Sequence, residues 1–244
     1  MKLSGYLVTL DQHKVYYDQY KSGHNKVIII AHGFFNSKQA VILKQLGEAL
    51  SNEYDVILFD FRGHGQSKGR FYWTAKEYLD LLGIVEFANK SYEKIGLIGF
   101  SLGAATSIIA ASKTMLINSI ISISAPAEFA KIDYNFWKFD VKNDLFYILF
   151  GEGRHGKGVR PGPFWHKKEK PIEIVKKTGI PIFYIHGDSD WIIRHWHSEE
   201  LYKNTAAFKR LSIIKNGPHA ENLFRKHKDE MLYLIRKWFN ETLS

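Results

Sequence analysis

Six runs of apolar, mostly β-branched residues constrain the fold of this chain more than any other feature. Most of these runs are continuous instead of alternating with polar residues, which is typical of strands covered on both faces. Helical patterns separate most of the runs, so strands and helices alternate along the chain. The expected fold is therefore α/β, with a mainly parallel twisted sheet between helices on both faces. The predicted strands cover residues 26–33, 54–65, 94–100, 117–124, 180–187 and 209–215.

Other local patterns complete this plan. Residues 5–10 and 14–20 alternate like a hairpin of half-buried strands. Thr74 is a candidate N-cap for the second helix, and Glu77 stands at the spacing of a capping box. The alternation lapses over an aromatic-rich stretch at 126–179, which we expect to form a cap insertion within a single domain spanning 1–244. The predicted helices cover residues 38–50, 74–89, 102–112 and 221–243.

Composition excludes several classes of protein. The chain has no cysteine, so disulfides and cysteine-ligated metals are ruled out. Its formal charge of +9 is spread along the chain without a nucleic-acid motif, and we interpret it as surplus surface lysine and arginine. No apolar run is long enough to span a bilayer, and the N-terminus lacks the pattern of a signal peptide. We therefore expect a cytoplasmic protein with no nucleic-acid partner and no stable membrane insertion.

The third predicted strand ends in a pentapeptide of the form G-x-S-x-G, Gly99-Phe100-Ser101-Leu102-Gly103. A sharp turn from strand to helix holds such a serine in a strained conformation with its hydroxyl pointing out of the sheet. The two glycines allow neighbouring backbone to approach closely. Ser101 is therefore the candidate nucleophile, at the carboxyl end of the sheet where ligands bind in α/β folds.

With four further motifs in the same order, the chain resembles the serine hydrolases of the α/β-hydrolase family over nearly its whole length. Residues 31–37 (AHGFFNS) are similar to an oxyanion loop, and residues 60–69 (DFRGHGQSKG) to the glycine-rich turn after the next strand. Residues 186–193 (HGDSDWII) and 216–219 (NGPH) resemble the loops that carry the acid and the histidine. The resemblance implies an α/β-hydrolase fold and a nucleophile, acid and base in that chain order.

A serine hydroxyl needs a base, and His219 is the candidate because it follows a strand and precedes the last helix. His227 lies within that helix and is predicted to be solvated surface. His195 and His197 lack the carboxylates of a metal site, and no metal is expected.

The family pattern selects Asp190 as the acid that orients the histidine, while Asp188 is expected to cap the turn. The resemblance places the oxyanion donors at the backbone amides of Phe34 and Leu102. Beside the glycine turns lie further polar side chains, which we expect to hold the loops by hydrogen bonds; they are His32, Arg62, His64 and His186.

The predicted reaction is hydrolysis of a small carboxylic ester through an acyl-enzyme, without metal or organic cofactor. The insertion's aromatic residues favour short to medium acyl or aromatic substrates. The "HGF" oxyanion loop at 32–34 and the compact insertion resemble those of acylglycerol and cinnamoyl esterases. The basic residues of the insertion suggest either an anionic leaving group or a lid that these residues keep soluble.

A thioesterase, acyltransferase or peptidase with the same triad, or a non-catalytic binding protein, is the alternative. The sequence carries no prediction of oligomeric state. The candidate substrate-binding residues are Phe35, Phe100, Trp137 and Trp191.

Overall fold

The computed structural model of the protein describes residues 1–132 and 158–244. Over these residues the strands are β1 (Lys2–Val8), β2 (Lys14–Tyr20), β3 (Lys26–Ala31), β4 (Asp55–Phe59), β5 (Lys94–Phe100), β6 (Ser119–Ile123), β7 (Ile182–Gly187) and β8 (Lys209–Ile214). The helices are α1 (Val41–Leu50), α2 (Glu77–Asn89), α3 (Leu102–Ala111), α4 (Pro171–Ile174), α5 (Trp196–Asn204), α6 (Ala220–Lys226) and α7 (Lys228–Thr242), with a short 3₁₀ turn at Phe129–Lys131.

The strands form one sheet in the order β1-β2-β4-β3-β5-β6-β7-β8. The β1–β2 hairpin joins β4 in antiparallel fashion, and every other neighbouring pair is parallel. The predicted mainly parallel sheet and all six predicted strands are therefore confirmed, although β8, at the edge of the sheet, is only partly buried. Because β5 to β8 run in the same direction, the loops that follow them meet at one edge of the sheet.

Two hydrophobic layers explain why the buried strands are continuously apolar. Along β3, Val27 and Ile29 pack into one layer, and Ile28 and Ile30 pack into the other. The first layer includes side chains from α2, α3, α4 and α5, and the second includes side chains from α1, α6 and α7. Side chains on both faces of the strands are thus removed from water, which is the main stabilising contribution to such a fold.

The predicted start of the second helix is wrong, because α2 begins three residues later, at Glu77. Thr74 has a positive φ of 77° and does not cap the helix. Glu77 instead accepts a hydrogen bond of 2.7 Å from the Tyr72 amide, five residues before it. The capping-box spacing was present in the sequence, but the carboxylate bends the preceding loop back onto the helix instead of closing a capping box.

Glu77 is expected to make the protein less stable as the pH rises. The carboxyl is completely buried, and burial raises its pKa from the ordinary 4.5 to about 7. The folded state therefore holds a proton that the unfolded state releases, so the free energy of unfolding falls between about pH 4.5 and about pH 7. Glu77→Gln should remove this loss and stabilise the protein at pH 8 by on the order of 1–3 kcal/mol relative to wild type. Urea denaturation of both proteins at pH 4 and pH 8 measures this stabilisation. The same difference in the free energy of unfolding between variant and wild type at the two pH values would contradict the prediction.

The single long C-terminal helix predicted at 221–243 is interrupted. His227 has φ −122° and ψ 43°, and it separates α6 from α7. Its side chain is mostly buried, with Nδ1 3.6 Å from Glu230, so the prediction of a solvated position within the helix is wrong. The break lets α6 and α7 each pack their apolar side chains into the second layer. The sequence analysis also missed α5, whose sequence is mostly polar.

Residues 158–162 pair with the glycine-rich turn that follows β4. The Phe71 amide donates to the Arg160 carbonyl at 2.9 Å, and the Arg160 amide donates to the Gly63 carbonyl at 2.8 Å. The Gly158 amide donates to Phe35, in the predicted oxyanion loop, at 3.0 Å. The segment 158–162 is thus held against two of the predicted motif loops. The cap insertion at 126–179 remains a prediction, since much of it lies outside the described residues.

Over residues 1–132 and 158–244, no helix combines the length and apolar character needed to cross a bilayer.

Candidate active site

Ser101 stands at a sharp turn between β5 and α3. Its backbone has φ 50° and ψ −112°, a conformation that costs a non-glycine residue free energy and that surrounding structure must enforce. The Ser101 amide donates to the Ile123 carbonyl on β6 at 2.7 Å, and the Ser101 carbonyl accepts from Ala104 and Ala105 in the first turn of α3. The side chain is nine per cent exposed at the carboxyl end of the sheet.

The two flanking glycines permit this turn. A Cβ at Gly99 would overlap the Cα of Ala104, and a Cβ at Gly103 would overlap the carbonyl oxygen of Ala31. These are backbone atoms, which cannot move aside as a flexible side chain can. The glycines therefore allow the start of α3 to pack directly against β5, the strand before it, and against the end of β3.

Gly103→Ala is accordingly expected to destabilise the protein by about 3 kcal/mol, the upper part of the range for overpacking. To relieve the overlap, the start of α3 must move. Because α3 carries Leu102 and follows Ser101, this movement should lower any turnover by about 100-fold. Gly179→Ala is the matched control, since its added Cβ meets nothing within 4 Å. Thermal unfolding and ester hydrolysis measure the two effects, and equal stabilities for both variants would contradict the close packing at Gly103.

His219 lies on the loop between β8 and α6. The loop is shaped by Asn216 and Ala220, which have positive φ angles of 55° and 46°. The Ala220 amide donates to the Ser124 hydroxyl at 3.1 Å, and this bond ties the loop to the end of β6. His219 is thereby fixed beside the serine turn, although it lies 118 positions after Ser101 in the sequence.

A line of hydrogen bonds joins three side chains that are distant in sequence. The distance from Ser101 Oγ to His219 Nε2 is 2.9 Å, and the distance from His219 Nδ1 to Asp190 Oδ2 is 2.6 Å. Because a carboxylate only accepts, Nδ1–H is the donor to Asp190. In the neutral imidazole Nε2 then carries a lone pair that accepts from the serine hydroxyl. This arrangement can take the serine proton and hold the imidazolium that results.

Asp190 is buried, and its carboxylate is surrounded by donors. Oδ1 accepts from the Ile192 and Ile193 amides at 3.0 and 2.9 Å, and Oδ2 lies 3.1 Å from His186 Nε2 in addition to His219. Burial alone would raise the pKa of Asp190, but the neighbouring His219 and His186 outweigh burial and hold that pKa well below its usual range. The group is therefore an anion at neutral pH.

Asp188, the competing carboxylate, is placed differently. Its Oδ1 accepts a hydrogen bond of 2.9 Å from the Ser189 hydroxyl, and its backbone amide donates to Ile214 on β8. The side chain is half-buried, whereas Asp190 is 2% exposed. Of the two, the structure brings Asp190 against His219.

The predicted oxyanion amides belong to segments that touch. Leu102 begins α3, and the Gly103 next to it packs against the carbonyls of Ala31 and His32, just before the loop that carries Phe34. A glutamate that the sequence analysis did not single out supports this loop. Glu221 Oε1 accepts from the Gly33 amide at 2.8 Å, which fixes the peptide next to Phe34.

Hydrogen bonds to loops occupy the polar residues beside the glycine turns. His32 donates from Nδ1 to the Gly33 carbonyl at 2.8 Å and accepts from the Phe61 amide at Nε2, while burial lowers its pKa to about 4. His64 donates to the Arg62 carbonyl at 3.2 Å, and burial lowers its pKa to about 2. Arg62 forms ion pairs with Asp80 and Asp11 at 2.6 and 2.7 Å. Both imidazoles are therefore neutral, and all three side chains stabilise loops.

The predicted substrate-binding residues fall into different environments. Phe35 is 41% exposed with a φ of 71°, and Trp191 is half-buried directly after Asp190. Phe100 is 0% exposed and packs with Ile98 in the second hydrophobic layer, so its assignment to a substrate pocket is corrected to a core position. Side chains alternate along β5, and this alternation places Phe100 in the layer that α1, α6 and α7 cover. Trp137 lies outside the described residues.

An aromatic cluster borders the oxyanion loop. Phe34 is 39% exposed and stacks on Trp73, with ring centroids 5.2 Å apart and an interplanar angle of 22°. Phe71 lies 5.6 Å from Phe34 and 5.4 Å from Trp73, measured between centroids. The sequence analysis did not single out Phe71 or Trp73, because only the fold brings the turn after β4 beside the loop after β3.

Within the described part of the chain, no group of three or more histidine, aspartate or glutamate side chains is arranged to hold a metal ion. His195 and His197, which the sequence analysis considered as a possible metal pair, contact other groups. His195 lies 3.6 Å from Glu199, and His197 Nδ1 accepts from the Ala127 amide at 3.2 Å.

Comparisons with known proteins agree with this architecture. A family model described as the alpha/beta hydrolase fold matches residues 26–151. The uncharacterized protein YqkD of Bacillus subtilis (strain 168) is 29% identical over 233 residues, covering 84% of this chain and 70% of YqkD. The human serine hydrolase BPHL is 24% identical over 244 residues, covering 89% of this chain and 80% of BPHL. The Pyrococcus furiosus esterase Pf2001 superposes with a TM-score of 0.80 at 22% identity, covering 100% of this chain and 94% of Pf2001.

Proposed function

The chain belongs to the α/β-hydrolase fold family, and we propose that it is a serine hydrolase that cleaves carboxylic esters with Ser101, His219 and Asp190. The single observation that carries the proposal is the hydrogen-bonded line from Ser101 Oγ through His219 to Asp190 Oδ2, with separations of 2.9 and 2.6 Å. A buried, ionised carboxylate and a histidine with its base nitrogen aimed at a serine are the groups that acyl transfer requires.

In the proposed mechanism, Ser101 Oγ attacks the ester carbonyl as its proton passes to His219 Nε2. The carbonyl π electrons move to oxygen, and the amides of Phe34 and Leu102 stabilise the oxyanion. Collapse of this intermediate breaks the bond to the alkoxide, which takes the proton from His219 and leaves as the alcohol. Water then attacks the acyl-enzyme with His219 again acting as the base, and the acid is released as Ser101 recovers its proton. Asp190 remains ionised throughout and stabilises each imidazolium.

The aromatic cluster beside the oxyanion loop, of which Phe34 is exposed, supports an apolar acyl or aryl group in the substrate. Phe34 and Trp73 form a stacked wall next to the proposed oxyanion amide, and apolar walls with a few polar groups are typical of small-molecule sites. We therefore propose esters of short to medium aliphatic or aromatic acids as substrates. The proposed cap insertion would supply further walls.

Two measurements on the purified protein test the proposal. A fluorophosphonate should form one covalent adduct, and peptide mapping should place it on Ser101. A series of p-nitrophenyl esters from acetate to dodecanoate, together with a benzoate, should be hydrolysed with a preference for short to medium or aromatic acyl groups. An unlabelled protein that hydrolyses none of the esters would reject the proposal and favour a non-catalytic binding protein on the same fold.

The same triad also serves thioesterases, acyltransferases and peptidases. Partitioning of the acyl-enzyme among water, an alcohol and a thiol separates transfer from hydrolysis. Parallel assays on a thioester and an anilide of the same acyl group then give the leaving-group preference. A kcat/KM for the thioester or anilide exceeding that of the matched ester would replace esterase activity as the proposed function.

A further inference from the structure

The carboxylate of Asp190 is shared by two imidazoles. Asp190 Oδ2 lies 2.6 Å from His219 Nδ1 and 3.1 Å from Nε2 of His186, at the end of β7. Both the Asp190 and the His186 side chains are completely buried. A second histidine in a dry environment beside the acid has no part in the proton transfers described above.

The contacts of His186 favour one protonation state. Its Nε2 faces the Asp190 carboxylate and also the Ile193 carbonyl at 2.8 Å, and both of these oxygens are acceptors only. Nε2 therefore carries a hydrogen that is shared between them. Nδ1 lies 2.7 Å from the hydroxyl of Ser198 in the first turn of α5, and in the neutral ring it accepts that hydroxyl's hydrogen.

We propose that His186 is a positioning residue that, held as the neutral Nε2–H tautomer by Ser198, orients Asp190 and draws off part of its charge. This inference rests on the proposed function for its catalytic consequence. The Ile193 carbonyl anchors the ring to the loop that carries Asp190, so β7, that loop and α5 are joined at one imidazole. A neutral partner leaves His219 as the group that becomes cationic against the carboxylate.

Without the His186 N–H, Asp190 keeps a more concentrated charge and binds the His219 imidazolium more strongly. Protonated His219 cannot accept the serine proton, so activity should require a higher pH. Other ionisable groups on the surrounding loops, α5 and α6 stay unchanged in every variant below; they include His32, Asp188, Arg194, His195, His197, Glu199 and Glu221.

Histidine-labelled ¹⁵N NMR tests the inference without requiring turnover. The wild-type spectrum at neutral pH should show His186 as the Nε2–H tautomer. In His186→Leu the midpoint of the His219 titration should rise by about 0.5–1 unit, and in His186→Gln, which keeps an N–H donor near Nε2, it should stay close to wild type. Ser198→Ala should give a smaller rise, because the ring loses its bond at Nδ1 while Asp190 and Ile193 still hold the hydrogen on Nε2, and this variant tests the inference if the leucine variant does not fold.

Tyr184→Phe is the matched control. Tyr184 lies on β7 and its hydroxyl is 2.6 Å from Thr205 Oγ1, just after α5, so the variant removes a buried hydrogen bond between the same elements without touching Asp190. Its His219 midpoint should match wild type even if the protein is less stable. Equal midpoints for wild type, His186→Leu and Ser198→Ala, or a His186 that is cationic at neutral pH, would overturn the inference.

Kinetics on the same variants separate this inference from the proposed function. If the protein hydrolyses esters, the acid limb of kcat/KM against pH should move with the NMR midpoint, and kcat in His186→Leu should fall about tenfold with little change in KM. Correct midpoints in a protein that neither hydrolyses esters nor reacts with the fluorophosphonate would refute the function while supporting the role of His186. Hydrolysis with midpoints that do not move would refute the role and keep the function.

Discussion

Ser101→Ala is expected to lower kcat for a carboxylic ester by about 10⁵- to 10⁶-fold while leaving the fold intact. Alanine lacks the oxygen that forms the acyl-enzyme, and the remaining groups can only assist a direct attack by water. The serine side chain is small and slightly exposed, and its backbone conformation is enforced by bonds to Ile123, Ala104 and Ala105 that the variant keeps. Steady-state hydrolysis of the preferred p-nitrophenyl ester measures the loss.

Ser107→Ala is the matched control for this substitution. Ser107 lies on the same helix, α3, and its hydroxyl donates to the Gly103 carbonyl one turn earlier at 2.8 Å. Its loss should change kcat by no more than about threefold, since the hydroxyl touches no reacting group. Fluorophosphonate labelling should likewise persist in Ser107→Ala and vanish in Ser101→Ala. Residual hydrolysis above about one per cent of wild type in a homogeneous Ser101→Ala sample would show that another residue is the nucleophile.

Local patterns were sufficient to predict the sheet. A continuous β-branched run such as residues 26–31 can be stable only between two apolar layers, and the structure divides its side chains between those layers in alternation. The serine turn was equally readable, since G-x-S-x-G after such a strand describes a local conformation. The boundaries of α2 and α7 were not, because a buried carboxylate at Glu77 and a break at His227 depend on what the chain packs against.

Contacts between distant segments explain what the sequence analysis missed at the candidate site. Glu221 reaches the Gly33 amide across 188 positions, and no local pattern marks a first-turn glutamate as a support for an oxyanion loop. The same is true of Trp73, which stacks on Phe34. Phe100 was misjudged for the converse reason. Its neighbour Ser101 faces the site, but the alternation of β5 directs Phe100 into the core.

Asp190→Asn is the second large effect, with an expected loss of about 10⁴-fold in kcat at neutral pH. Oδ1 accepts from the Ile192 and Ile193 amides, so the asparagine oxygen should take that position and its NH₂ should replace Oδ2. The NH₂ would then face His219 Nδ1 and also His186 Nε2, whose hydrogen can still go to the Ile193 carbonyl. To avoid two opposed donors, His219 must keep Nδ1 unprotonated and carry its hydrogen on Nε2, where it can no longer accept the serine proton.

If the wrong tautomer of His219 causes the loss of activity, two further results are expected for Asp190→Asn. Its fold should survive, because asparagine matches aspartate in shape and keeps the two amide bonds to Oδ1. Its activity should recover partly at high pH, where a deprotonated serine no longer needs the base. Asp188→Asn is the matched control, since Asp188 Oδ1 accepts from the Ser189 hydroxyl whereas Asp190 Oδ2 faces His219 Nδ1, and it should retain kcat within about threefold. A large loss in Asp188→Asn with near-normal turnover in Asp190→Asn would reverse the roles of the two carboxylates and show that the 2.6 Å contact to His219 does not carry the chemistry.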